Sequence, residues 1–276
     1  MTNIFHQQPE FVTNDSFFYT AEGSYIRYSK YIDPLDLKDK SILDVGSYYA
    51  QCGAYALSNG AKEYVGIEII DASAFLSKEA LQKYYPNDNW EILHMSFEDF
   101  MKTNTKKFDI IFLGRVLFFL STRDIESLTY LANIGDVIVI ESVPPINRSF
   151  LELRSLLEEN DILNQLPKEK ILEINRYFEY EQSYVEYIEG TNRDCLSVLH
   201  SLGFLKKLFD RLGFECDLEP YEYMKENFPE EYGYGFMGKD EKLVKKYIVR
   251  FDKKKNATPK PLSHLEFERI RGTTTL

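Results

Sequence analysis

Leu43 to Gly53 reads LDVGSYYAQCG, and Glu68 closes an apolar run, YVGIEI, a short way downstream. A glycine-marked turn after a strand can bring backbone N–H groups to a ligand, and an acidic side chain about 20 residues further on can accept both hydroxyls of a ribose. Together they predict an edge that binds a nucleoside, because a carboxylate flanked by isoleucines would be poorly placed without a partner. A dinucleotide turn needs glycine at the second and third marks of G-x-G-x-x-G, so that the backbone can approach a pyrophosphate. Tyr48 and Gln51 occupy those marks. A ligand with a ribose and no phosphates escapes that restriction.

The elements that would position these residues alternate. SILDVGS, EYVGIEI, WEILHM, FDIIFLG and DVIVIESV are strand-like, with a small-residue helix after Gln51, a polar helix through Leu76 to Tyr84 and another from Arg123 to Leu131 between them. That order implies βαβ units and a parallel sheet, hence an α/β, Rossmann-like fold with helices on both faces. Ligands of such sheets lie beyond the carboxyl ends of the strands. Those ends carry Asp44, Gly46, Ser47 and Tyr48, then Glu68 and Ile69, then Ser96 and Phe97, then Gly114 and Arg115. S-adenosylmethionine fits this set: a ribose for Glu68, an adenine for a slot near Ile69, Ser96 and Phe97, and a sulfonium that an aromatic face attracts.

ILDVGS, GAKEYVGIEI, FEDF and FDIIFLGRVLFFL together resemble the motif series of class I S-adenosylmethionine-dependent methyltransferases, and LFDRLGFECDLEPY resembles the last helix and strand of that fold. The wording YIDPLDLKDKSILDVGS…GAKEYVGIE is also similar to the subgroup containing tRNA wobble-uridine modifying enzymes. The resemblance spans about Tyr31 to Val143 and implies a seven-stranded, mostly parallel sheet. It also implies that Asp44, Gly46 and Ser47 surround the methionine part of the cofactor, Glu68 its ribose, Ser96 and Phe97 its adenine, and Gly114 and Arg115 the transferable methyl. The sequence departs from the series at Tyr48 and Ala50, where the family carries glycine.

Methyl transfer from a sulfonium is a direct displacement, so an acid–base residue is needed only where the acceptor holds a proton. Arg115 and Glu141 are the candidates at the strand tips; Glu141 reads either as a general base or as a cap on the following turn. Arg148 and Arg193 could clamp an anionic acceptor or form surface ion pairs. The 20 Tyr and 20 Phe cluster at FFYTAEGSYIRYSKY and RYFEYEQSYVEY. These could pack a lid onto the sheet or form an aromatic cage, in which case Tyr19, Tyr25, Arg27, Tyr184 and Tyr187 would meet the acceptor.

The expected organisation is a helical and aromatic lid segment over 1–39, a cofactor-binding core over 40–145, a helical insert over 146–191, the rest of the core over 192–252 and a tail over 253–276. The core remainder reads as an amphipathic helix through Leu199, Leu202, Leu205, Leu208 and Leu212, then strands near Glu215 to Tyr221 and Lys245 to Phe251, pairing as an antiparallel edge. The tail has little apolar periodicity, so it reads as loosely ordered or as an arm that a second copy in a homodimer could borrow.

A formal charge of -11 works against phosphate attraction. It favours a small-molecule or glycan-type acceptor over RNA, although KKFD, Lys206, Lys207 and KKK after Asp252 could form a local basic groove. The three cysteines and four histidines are scattered, without spacing for a metal or a disulfide framework. The longest apolar run falls short of a membrane span, and the N-terminus lacks a secretory pattern, so a cytoplasmic enzyme is expected. A non-catalytic or NAD-type nucleotide-binding module is the reading from a different class.

Overall fold

The computed structural model describes residues 3–12, 20–31, 35–117, 120, 124–142, 185–189, 196–200, 202–217, 247–259, 262, 263 and 266. Helix α1 (Ile4–Gln7) is capped by the Asn3 side chain, which accepts from the Phe5 amide at 3.0 Å. A 3-10 turn (Pro9–Phe11) and α2 (Ala21–Tyr31) follow. Strands β1 (Ser41–Val45), β2 (Glu63–Glu68), β3 (Trp90–His94), β4 (Phe108–Gly114) and β5 (Gly135–Ser142) then alternate with α3 (Gln51–Ser58), α4 (Asp71–Tyr84), α5 (Phe97–Thr103) and α6 (Asp124–Ile134).

β1 and β4 form the centre of the sheet, whose order is β3-β2-β1-β4-β5 and then two later strands, β9 (Tyr247–Lys253) and β8 (Phe214–Asp217). The first five run parallel; β9 is antiparallel to both β5 and β8, which gives the expected antiparallel edge. Chain direction across the sheet reverses between β1 and β4, so their carboxyl ends part and leave a crevice at that switch point.

Both faces of the sheet are covered, which is why its strands read as near-continuous apolar runs. On one face, Leu43, Ile67, Leu113 and Ile140 pack against Phe97 and Phe100 of α5, Leu128 and Leu131 of α6, and Leu205, Leu208 and Phe209 of α7 (Leu202–Arg211). On the other, Ile42, Tyr64, Ile92 and Phe112 pack against Phe5, Phe11, Tyr28, the alanines of α3, and Ala80 and Leu81 of α4. The N-terminal aromatics Phe5 and Phe11 thus lie in the core, against Tyr28 and against Tyr84 and Tyr85.

Three segments differ from what their residues predict. The helical stripe expected through Leu199 starts only at Leu202: Leu196–His200 is a strand, β7, paired antiparallel with β6 (Val185–Glu189), inside the stretch expected to be a helical insert. Alternating and β-branched positions such as Val185, Tyr187 and Val198 suit a ladder, and cross-strand pairing overrides a three-residue leucine spacing. The rest of that insert lies outside the described residues. Phe97–Thr103 was not expected as a helix, although Ser96 and Asp99 form a capping pair at its start: the Ser96 hydroxyl accepts from the Asp99 amide at 3.1 Å. Parts of the presumed tail are packed: Pro259 is buried, Leu262 lies against the core, and Glu266 pairs with Arg211 at 2.8 Å.

Candidate functional site

β1 ends in a turn whose backbone is left-handed at Gly46 (φ 73), Tyr48 (φ 50) and Ala50 (φ 52). Glycine is needed at Gly46 for a second reason, since a Cβ there would come within 2.8 Å of Val116. Tyr48 and Ala50 hold the same conformation with side chains, at a cost of roughly 1–2 kcal/mol each. The turn repays this in hydrogen bonds. The amides of Gly46 and Ser47 both donate to the Ile67 carbonyl at 2.9 Å, and Ala50 donates to Ser47 at 2.8 Å. The missing glycines have changed the side chains of this loop and left its left-handed path in place.

Glu68 stands opposite the turn at the tip of β2. Its carboxylate accepts from the Tyr48 amide at 2.8 Å through Oε2 and from the Ile70 amide at 2.7 Å through Oε1. Each oxygen keeps acceptor capacity, because an ionised carboxylate offers about four lone-pair sites and two are used. The two amides therefore orient the group, which is buried at 5% exposure, and use two of its roughly four acceptor sites. Asp44, in β1 just before the turn, is buried and accepts from the Tyr64 hydroxyl at 2.8 Å. Burial raises its carboxyl to about 7, against the lowering effects of the Tyr64 hydrogen bond and Arg27. Ser47 presents a buried hydroxyl oxygen with no hydrogen-bond partner.

At the ends of β4 and β5, Arg27 of α2 crosses the sheet to form a buried ion pair with Glu141. Gly114, in register with Glu141, makes this crossing possible: a Cβ at Gly114 would lie 2.8 Å from the Arg27 Nη2. The guanidinium also stacks over Tyr28 and Phe112, 5.0 and 5.7 Å from their ring centroids. Glu141 is fully enclosed, and its second oxygen, Oε1, has no hydrogen-bond partner. Arg115 is left-handed at φ 62, and its amide donates to the Glu141 carbonyl at 2.8 Å.

The crevice thus gathers Asp44, Gly46, Ser47, Tyr48 and Glu68 around β1 and β2, and Gly114, Arg115, Arg27 and Glu141 around β4 and β5. Ile69 follows Glu68 with 59% of its surface exposed, and Ile70, Phe75 and Leu76 are exposed beside it. At the end of β3, the Ser96 hydroxyl is engaged with Asp99, and the Phe97 ring turns into the core against Phe100 and Tyr130. Tyr25 is half-buried, edge-on to Tyr55. Tyr187 lies in β6 opposite Val198. Tyr19, Arg148, Tyr184 and Arg193 lie outside the described residues.

Sequence reasoning missed two supports of the crevice. Tyr64 holds Asp44, and its signal was a phenol two and four residues before Gly66 and Glu68 on the same face of β2. Ser77 of α4 donates to the Tyr48 carbonyl at 2.7 Å; its signal was a serine among Ala74, Ala80 and Leu81 on the buried stripe. Among the described residues, no group of three or more His, Cys, Asp or Glu could hold a metal ion. Nor is any described helix long and apolar enough to cross a membrane.

No family model and no curated protein matches the sequence. Among solved structures, a Listeria monocytogenes protein described as an S-adenosylmethionine-dependent methyltransferase is similar at 10% identity and a TM-score of 0.51, over 86% of this chain and 100% of that one. The N-terminal domain of EvdMO1 with S-adenosylhomocysteine bound is similar at 12% identity and a TM-score of 0.51, over 88% of this chain and 83% of that one. The seven-stranded, mostly parallel sheet with helices on both faces is the fold that these solved structures share.

Proposed function

We propose that the chain binds S-adenosylmethionine at this crevice and transfers its methyl group to a small-molecule or glycan-type acceptor. The observation that carries the reading is Glu68: a carboxylate fixed by two backbone amides at the tip of β2, with lone pairs left for two donors and an exposed isoleucine next in sequence. A ribose presents two adjacent hydroxyls, which match that capacity. The orphaned Ser47 hydroxyl and the buried Asp44 carboxylate lie at the end of β1, where the cofactor's amino acid part would be held. Ile69 would form one side of the adenine slot. Ser96 and Phe97 would border it through the α5 N-terminus, because the Phe97 ring is committed to the core.

The bound cofactor would supply an electrophilic methyl on a sulfonium sulfur. The chain's own residues would bind and align the reactants and exclude water, which is much of the acceleration available to a direct displacement. Arg115, held left-handed by its bond to the Glu141 carbonyl, would shape the methyl end of the crevice together with Gly114. Glu141, enclosed and paired with Arg27, acts in this reading as a brace for α2, and no general base is required of it. The likeness to EvdMO1, crystallised in the presence of S-adenosylhomocysteine and D-fucose (13% identity, TM-score 0.50, 90% of this chain and 84% of that one), is compatible with a sugar-like acceptor. An RNA acceptor is the alternative, favoured only by the similarity of wording to the tRNA-modifying subgroup.

Titration calorimetry tests the cofactor. The parent should bind S-adenosylhomocysteine and release heat, and Glu68→Ala should weaken binding by at least an order of magnitude, the worth of two hydrogen bonds to a charged group. The reading fails if neither S-adenosylmethionine nor S-adenosylhomocysteine gives heat with the parent.

A further inference from the structure

Tyr48 has a left-handed backbone with no glycine to make it cheap, and Glu68, Ser77 and Tyr49 are among the groups that meet it. Its amide donates to Glu68 at 2.8 Å, its carbonyl accepts from the Ser77 hydroxyl at 2.7 Å, and its ring meets Tyr49 edge-on at 4.1 Å. Two of these contacts, to Glu68 and Tyr49, come from β2 and from the turn itself. Ser77 belongs to α4, is fully buried, and reaches across from the middle of that helix. A serine within a helix ordinarily turns its hydroxyl back to the carbonyl four residues earlier, and Ser77 has that option as well, with Ser73 at 2.8 Å. A hydroxyl carries one proton. Ser77 therefore shares it between its own helix and the turn.

We propose that Ser77 is a positioning residue for the cofactor turn, holding Tyr48 in a left-handed conformation that only glycine enters without steric cost, and with it the amide that orients Glu68. The inference rests on the cofactor reading above. Tyr48, Ser77 and Glu68 form one linked set: the serine fixes the Tyr48 carbonyl, the peptide plane fixes the following backbone, and the Tyr48 amide fixes the carboxylate. Without the serine, Tyr48 can relax to the ordinary right-handed or extended regions, and the Glu68 carboxylate loses one of its two orienting donors.

The test is a cycle of Ser77→Ala, Tyr48→Gly and the double variant, read by S-adenosylhomocysteine affinity and by amide hydrogen exchange. Alanine suits a helix interior, so Ser77→Ala should leave α4 intact. It should weaken S-adenosylhomocysteine roughly five- to tenfold, the worth of one net hydrogen bond. It should also speed exchange at the Tyr48 amide by a similar factor, while amides of β1 and β2 remain as in the parent. In the Tyr48→Gly background the same serine substitution should change affinity less than twofold, because glycine enters φ near +50° without the steric cost that Ser77 offsets at Tyr48. Equal losses in both backgrounds would mean a general packing role for Ser77 and would overturn the proposal, as would unchanged Tyr48 exchange in Ser77→Ala. If the parent does not bind the ligand, the cofactor reading fails while the exchange measurement still decides whether Ser77 holds the turn.

Discussion

Asp44 is enclosed beneath the crevice, with Tyr64 donating to it and its carboxyl raised to about 7 from an ordinary 3.8. The folded protein therefore holds a proton there that the unfolded chain releases near pH 4, so this residue's contribution to stability is present at low pH and is lost as pH rises from about 4 to 7. Asn at this position still accepts from Tyr64 but does not titrate. The stability of Asp44→Asn relative to the parent should rise between pH 4 and 7 and level off above, by about 1.4 kcal/mol for each pKa unit separating the two states. Parallel urea-unfolding series across that range should give diverging curves, and superimposed curves would remove Asp44 as the cause. Arg27 and Glu141 call for a different measurement. Arg27→Met should destabilise by about 3–5 kcal/mol, because it leaves a buried carboxylate alone, whereas Arg27→Met with Glu141→Leu should cost clearly less. Asp44 and Glu68 could be read from the sequence because spacing after an apolar strand is local information. The Arg27–Glu141 pair could not, since nothing in either segment says that α2 lies across the end of β5.

Strands β1 to β5 were legible as short apolar runs because both faces of the sheet are covered, and α3, α4 and α6 as the helical stretches that separate them. Their order β3-β2-β1-β4-β5 then fixes the crevice by topology. Legibility failed where the local period was weak or misleading. Three leucines spaced by three, from Leu199 to Leu205, read as one helix, yet the chain is in a strand until His200 because β6 supplies ladder partners. Helix α5 is only Phe97–Thr103, too short for a period to be visible, and is marked by its cap alone. That cap gives the test at this scale. Ser96→Ala should lower stability by about 1 kcal/mol, and Ser96→Asp should restore most of it, since aspartate caps as well as serine. Urea midpoints decide it: a hydroxyl important only to a ligand would leave the stability of both variants at the parent's level.

At the scale of the whole chain, the formal charge of -11 bears on the choice of acceptor. If RNA were the acceptor, a basic groove would have to overcome that field, and tRNA binding would fall steeply with salt. The expected result is no tRNA binding above that of an acidic control protein at 0.15 M salt, measured by filter retention. Binding with a steep salt slope would move the reading to the RNA alternative.

The last strand of the sheet is not at its edge. β9 lies between β5 and β8, with Val137 opposite Asp252 and Cys216 opposite Phe251. Pairings so far apart in sequence form late, and a nascent chain emerges from its N-terminus first. Until Tyr247 to Lys253 has left the ribosome, the backbone of β5 is an open edge beside the crevice, able to pair with a neighbouring chain. The sheet is thus closed only once β9 has emerged. A chain ending at residue 246 should accumulate as aggregate even though every residue assigned to the cofactor is present.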